Sequence, residues 1–282
     1  DPKIISLYNK NNQGIARALN KGISKANGEY IARIDGNDIA NHSRLEEQLK
    51  YLNSHPKCAV VSTPVLMIDE GGNSINKVYG NYIHHDLIQT YLFYKNCLSH
   101  TSVLMRKCLL PQPVYNENVI AEDYVLWTHL AKKWELHIMD QVLMQVRDLH
   151  YGLSYKKSLR KSFQQIKLSQ LKWLGIIPNK KEEEIHLSLE RKVTLDDLIT
   201  SEEKIKWLNK IYLANLKYSE YKEPFFTNRL IEYWNTTVNN VSKPTLSFFL
   251  TYLSSPLKKE AKKPFKRTFK ILNLIVSSGQ SS

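Results

Sequence analysis

The apolar positions of this chain change period several times before residue 150 and settle into helical spacing after it. Ile4, Ile5 and Leu7 form a short apolar run with strand character, leading into a polar loop at Asn12-Gln13-Gly14. From Ile15 to Lys25 the spacing predicts a helix with Ala18, Leu19, Gly22, Ile23 and Ala26 on one side. Tyr30–Ile34 reads as a strand. Ser43 to Ser54 predicts a second helix, with Leu45, Leu49 and Leu52 as its apolar side and Pro56 just past its end. Cys58 to Met67 predicts a buried strand, and Asp69-Glu70-Gly71-Gly72-Asn73 a hairpin turn. Leu98 to Lys107 is another strand candidate. Ala121 to Ala131 predicts a helix opened by two carboxylates, which suit its N-terminal dipole. From Tyr155 onward the chain is helical and Lys-rich, broken at Pro178, Pro224, Pro244, Pro256 and Pro264. The expected organisation is an α/β domain over residues 1–152 and a helical, basic region over 153–282, with no internal repeat.

Size and charge sharpen this picture only in part. At 282 residues and 42% hydrophobic, the chain can bury one large core or two modest ones. No apolar run approaches the ~18 residues that span a bilayer, and no signal-peptide core is visible. Cys58, Cys97 and Cys108 are odd in number and lack Cys-x-x-Cys spacing, which fits a reduced, cytoplasmic setting better than disulfides or a zinc site. Residues 1–150 hold 16 Lys/Arg against 15 Asp/Glu, whereas residues 151–282 hold 24 against 12. A basic half of this kind fits nucleic acid, anionic lipid or phosphorylated substrates, and charge alone does not choose among them.

The chemistry concentrates where Ala32-Arg33-Ile34-Asp35-Gly36-Asn37-Asp38 runs from a strand into acids and an amide. In open α/β sheets the C-terminal strand edge is where ligands bind. Carboxylate and amide oxygens there suit a hard cation such as Mg²⁺ or Mn²⁺. The bland alternative is an ordinary turn, since Asp, Gly and Asn are common turn formers.

Together with Asn12-x-Gly14, Asn20-x-Gly22 and Gly28-Glu29-Tyr30-Ile31-Ala32-Arg33, this cluster resembles the bacterial family 2 glycosyltransferases of the GT-A fold. The resemblance implies a Rossmann-like nucleotide-sugar transferase domain that inverts the anomeric centre and uses a divalent metal. Its partners would be a nucleotide-sugar donor and a saccharide or lipid-linked saccharide acceptor in surface polysaccharide synthesis. Carried over residue by residue, it implies donor contacts at Asn12, Gly14, Asn20, Arg33 and Asp35, and metal contacts at Asp35, Asn37 and Asp38. Relatives read Asp-Ala-Asp-Asp at the metal motif, so Asn37 departs from the pattern and weakens the expected metal affinity. Glu122-Asp123-Tyr124-Val125-Leu126-Trp127 matches the family segment that supplies the catalytic base, with Asp123 as the base and Glu122 orienting the site. His100 and Trp127 fall on the acceptor side. His100 stands in Ser-His-Thr-Ser-Val, where the family has His-Pro-Ser-Val. Arg147-Asp148-Leu149-His150 resembles the segment that closes the sheet domain, with one residue inserted before His150, a further metal-side candidate.

A GT-A domain normally begins with a βαβ unit of about 30 residues or more that holds the nucleotide base. Here the first strand stands at the extreme N-terminus, so the resemblance implies an incomplete GT-A fold, and the chain by itself need not be active. Two other classes compete. One is a basic nucleic-acid-binding protein, supported by the charged tail and 16 Tyr and 5 Trp. It shows no recognised module, so nucleic acid is not the expected partner. The other is a degenerate transferase fold serving as an assembly subunit. In the tail, Phe265, Phe269, Leu272 and Val276 share one helical side, which makes 256–276 a candidate for peripheral contact with the inner face of the membrane. A solvated helix packed on its own domain is the alternative.

Overall fold

The computed structural model describes residues 3–81, 83–147, 153–189, 200–241, 244–261, 268 and 271–273. The chain divides into two compact units, Asp1–Ile166 and Lys167–Ser282. The division falls within a long helix, and residue 152 itself lies outside the described residues.

In chain order the first unit contains α1 (Ile15–Lys25), β1 (Tyr30–Ala32), β2 (Ile39–Ala40), α2 (Arg44–Ser54), β3 (Cys58–Ser62), β4 (Val65–Ile68) and β5 (Ser74–Tyr79). There follow α3 (His85–Tyr94), β6 (Leu104–Arg106), α4 (Glu122–Leu130), β7 (Glu135–Ile138) and β8 (Met144–Arg147). Two mixed four-stranded sheets result, ordered β1-β6-β3-β7 and β2-β8-β4-β5. In the first, β3 runs parallel to β7 and antiparallel to β6; in the second, β4 runs parallel to β8 and antiparallel to β5. Every residue of β3 is buried, as a central strand requires. The main core packs Val60, Ile88, Leu92, Tyr124, Trp127 and Leu136 between this sheet and helices α3 and α4.

Four sequence expectations change. Residues 4–9 form no strand; Ile4 and Ile5 are about 70% exposed and pair with no strand among the described residues. The predicted strand 58–67 breaks at Thr63-Pro64, because proline has no N–H to donate to a ladder, and its halves join different sheets. The strand expected from Leu98 begins late. Ser102 N and Oγ both donate to Ser99 O at 3.0 Å, winding His100–Ser102 into a 3-10 turn. In α2 the helix is right but its phase is shifted: Leu45 and Leu49 are exposed, while Arg44, Gln48 and Leu52 face inward. The hairpin at 69–73 is present, closed by Asp69 N donating to Asn73 O. Helix α3 has no counterpart in the sequence reading.

The second unit is helical. Helix α5 (Leu153–Leu171) spans the division, followed by α6 (Lys180–Ser188), α7 (Ser201–Tyr218), α8 (Phe225–Asn239), α9 (Leu246–Ser254) and α10 (Pro256–Glu260). Reciprocal capping boxes start α6 (Asn179 with Glu182) and α7 (Thr200 with Glu203). The breaks expected at Pro178, Pro224, Pro244 and Pro256 fall between helices, each just before or at the start of the next one. Trp207, Leu208, Phe226, Leu230, Trp234 and Tyr252 build the core. No helix among the described residues is long and apolar enough to cross a membrane. Phe265, Phe269 and Val276 lie outside the described residues.

Candidate active site

The site is built from the backbone beneath it. After β1 the chain stays paired through Arg33 N donating to Val103 O at 3.0 Å. Arg44 reaches up from α2 and its Nη2 donates to Arg33 O (2.8 Å) and Val103 O (3.0 Å). Its Nε donates to Gln48 Oε1, and Gln48 Nε2 donates to Ser102 O (2.7 Å) and Val61 O (3.2 Å). Buried polar groups thus do the work expected of Leu45 and Leu49. Burial, and secondarily the charge of Arg33, lower the Arg44 pKa to about 10.

Arg33 is itself buried and forks onto Asp35, with Nη1–Oδ2 at 2.7 Å and Nη2–Oδ1 at 2.6 Å. A bidentate pair of this kind fixes geometry as well as charge. Beyond it the acidic loop is latched from two sides. Thr101 Oγ1 accepts from Asp35 N (3.1 Å) and donates to Asp38 Oδ2 (2.6 Å). Asp38 Oδ1 accepts from Arg147 N (3.1 Å), and Arg147 Nε donates to Asn37 O (3.1 Å). Asp38 therefore braces the loop against β8 with both oxygens. The half-exposed Asn37 side chain makes no hydrogen bond among the described residues.

The second pair of acids arrives at the start of α4. Ala121, immediately before it, has φ +70°, a left-handed conformation that costs a non-glycine residue about 1–2 kcal/mol. Strain at a helix entry that carries two acids is the kind found at functional sites. Asp123, partly exposed, accepts at Oδ2 from Asn96 Nδ2 (2.8 Å). Glu122 is buried, with Oε1 3.7 Å from His100 Nδ1. His100 Nε2 lies 2.8 Å from the Tyr115 hydroxyl, and its ring meets Trp127 edge to face at 5.9 Å.

Burial dominates the electrostatics. It raises the Glu122 and Asp123 carboxyls above the usual range, partly offset by Arg33 in both cases. It pushes His100 well below an ordinary histidine, with the Arg33 charge adding to the effect, so the imidazole is neutral at pH 7. It raises the Tyr115 hydroxyl, which stays protonated. The Arg33 charge reaches all four groups, so residues from both acidic motifs share one field.

The predicted site residues do not all fall in one place. Arg33, Asp35, His100, Glu122 and Asp123 come together. Asn20 sits at the margin as a positioning residue: its Nδ2 donates to Tyr115 O (2.9 Å) and Glu117 Oε1 (3.1 Å), and its Oδ1 accepts from Tyr115 N. Asn12 holds the exposed turn before α1, its Oδ1 accepting from Gly14 N, and Gly14 has φ +84°, where a side chain would be strained. Trp127 is completely buried in the core, its ring edge to face with that of His100. His150 lies outside the described residues. Sequence reasoning missed Asn96, Tyr115 and Arg44. An isolated Asn or Tyr in a loop carries no local signal, and a charged residue opening a helix reads as solvated.

Beside Arg33 and Tyr115, an open groove of about 440 Å³ runs between α1 and β1. Leu19, Gly22 and Ile23 line one wall, and Ile31 another. The predicted apolar side of α1 therefore faces a groove as well as the core.

The first unit is thus a mixed α/β unit that carries carboxylates at a strand end and at a helix start. Residues 1–109 match the model of Glycosyl transferase family 2. The chain is 30% identical over 149 residues to the uncharacterized glycosyltransferase MJ1057 of Methanocaldococcus jannaschii, covering 52% of this chain and 51% of that protein. It is 30% identical over 151 residues to the amylovoran biosynthesis glycosyltransferase AmsE of Erwinia amylovora (52% and 54%). It is also 30% identical over 130 residues to the O-antigen biosynthesis glycosyltransferase WbnJ of Escherichia coli (46% and 50%). The chain spans about half the length of these curated relatives. The stretch that carries the first acidic cluster is thus similar to the family 2 model, and two of the similar glycosyltransferases are named for amylovoran and O-antigen biosynthesis.

Proposed function

We propose that the protein moves a sugar from a nucleotide-sugar donor to an acceptor hydroxyl, with inversion, in the synthesis of a surface polysaccharide. The observation that carries this reading is the buried Arg33, which pairs with Asp35 and whose charge also acts on Glu122 and Asp123 at the start of α4. Asp123 is held by Asn96, partly open to solvent, and sits at a helix start. It removes the proton of the acceptor hydroxyl as that oxygen attacks the anomeric carbon. The bond from that carbon to the nucleotide breaks on the opposite face, and the proton ends on Asp123. Neutral His100 and the protonated Tyr115 shape the acceptor side without competing for that proton. Arg33 holds Asp35 at the donor side.

Asp35, Asn37 and Asp38 fit a hard divalent cation in donor type, three oxygen-bearing side chains within four residues. When bound, Mg²⁺ or Mn²⁺ would neutralise the diphosphate of the donor. Asp35 is engaged by Arg33 and Asp38 by Thr101 and Arg147, which leaves Asn37 as the most available oxygen. Asn37→Asp should therefore tighten Mn²⁺ binding in the presence of a nucleoside diphosphate, measured by calorimetry. Unchanged or weaker affinity would place Asn37 away from the ion. The reading as a whole is tested by incubating the full-length gene product with a panel of nucleotide sugars and following nucleoside diphosphate release. Binding without release across the panel would favour an assembly subunit over an enzyme.

Membrane contact, if the acceptor is lipid-linked, has a candidate element among the described residues besides the predicted tail. Helix α9 exposes Leu246, Leu250 and Leu253 at helical spacing. Seven basic side chains and one acid follow between 256 and 270. Near an anionic leaflet each basic charge is worth roughly 1 kcal/mol. The protein should co-sediment with anionic vesicles and not with neutral ones, and Leu246→Glu with Leu250→Glu should weaken that binding. Equal sedimentation of variant and wild type would remove α9 from the contact.

A further inference from the structure

The start of α3 gathers imidazoles away from the acidic site. His84, the residue that caps the helix, His85 and Asp86 each bring one ligand atom to within 4.8 Å of the others. His84 Nδ1 lies 3.4 Å from Asp86 Oδ2, and His85 Nε2 lies 3.2 Å from Asp86 Oδ1. The two rings are 4.4 Å apart between centroids. A bridge between Ile83 and Ile138 brings this cap against the end of β7. There His137 stacks on Tyr51 at 3.9 Å, and His55 stacks on the same ring at 4.0 Å. The pKa of His137 is lowered to about 4, by burial first and then by His55, with His85 and His84 also contributing and Asp140 opposing. One surface therefore holds four imidazoles and two carboxylates.

One feature argues for a bound cation: the spacings match a coordination edge, since metal–ligand bonds of about 2.1 Å in a tetrahedron place ligand atoms about 3.4 Å apart. His84 Nδ1 accepts the cap bond from Asp86 N at 3.4 Å, and a cation at that nitrogen would take its place. The positive end of α3 disfavours a hard cation held by charge alone. A borderline ion that draws its affinity from imidazole nitrogen fits better.

We propose that His84, His85 and Asp86 form a binding site for a divalent cation of the Zn²⁺ class, separate from the acidic loop at Asp35–Asp38. Helix α3, about 15 Å long, runs from this cluster toward Asn96, the partner of Asp123, so the two sites lie at opposite ends of one element.

The test uses the full chain without a histidine tag, with Co²⁺ as a spectroscopic probe. Wild type should develop visible absorption on Co²⁺ addition, Zn²⁺ should bleach it, and excess Mn²⁺ should not. His84→Ala with His85→Ala should abolish the band, with the circular dichroism of the fold retained. The volume-matched His84→Gln with His85→Gln should lose it too. Retention of the band and of the Zn²⁺ stoichiometry in either double variant overturns the site, as does displacement of Co²⁺ by Mn²⁺. The proposed transferase reading is untouched by either result.

Discussion

Asp123→Asn should lower transfer by about 10²–10⁴-fold, the usual cost of removing a general base, while the folded protein becomes more stable at neutral pH. The two effects have one origin. Burial raises the Asp123 carboxyl above its value in the unfolded chain. Between those two values the folded state binds more protons, so stability rises as pH falls through the folded value and the burial penalty stands in full above it. The amide removes that penalty and can still accept from Asn96 Nδ2. Thermal melts should show the variant above wild type at neutral pH, with the gap closing below the ordinary carboxylate range. The same shift moves the acid limb of kcat/KM to higher pH than a solvated carboxylate would give. A variant that keeps near-normal turnover removes Asp123 from the mechanism. One that loses turnover and stability together has lost structure, not a base.

Arg44→Ala should destabilise the first unit by about 3–5 kcal/mol, in the range for breaking a buried charged network. The truncation leaves a cavity, frees Gln48 from one of its partners and deprives Arg33 O of its guanidinium donor. Arg44→Met should cost less, because it fills most of the volume and relieves the burial that depresses the Arg44 pKa. Urea unfolding of the two variants makes the comparison. If Met costs as much as Ala, hydrogen bonds dominate; if neither costs more than about 1 kcal/mol, the network is not what seats α2.

The contrast between Arg44 and Asp123 explains what could be read from the sequence. Asp35, Glu122 and Asp123 were legible because their chemistry is compressed into short runs beside a strand or at a helix start. Helix α1, the turn at 69–73 and the proline-marked helix starts of the second unit are equally local. Arg44 and Gln48 were not legible, because they are buried to satisfy backbone carbonyls of other elements, and apolar periodicity cannot register that. Asn96 and Tyr115 acquire meaning only through partners 27 and 15 residues away. The split of 58–67 into two sheets likewise depends on which strands arrive later to pair with each half.

Late arrival also governs how the site comes into being. The acidic loop is latched by Arg147 N on Asp38, a contact spanning 109 positions, and Tyr115 is seated by Asn20 across 95. Contacts of such long range form after local ones, since the intervening chain must be closed first. On the ribosome, at roughly 5–20 residues per second, the stretch from Asp38 to Arg147 takes on the order of 5–20 s to emerge. Until β8 is out, Asp38 lacks the Arg147 half of its latch, and the nascent chain carries the charges of the centre without its finished geometry.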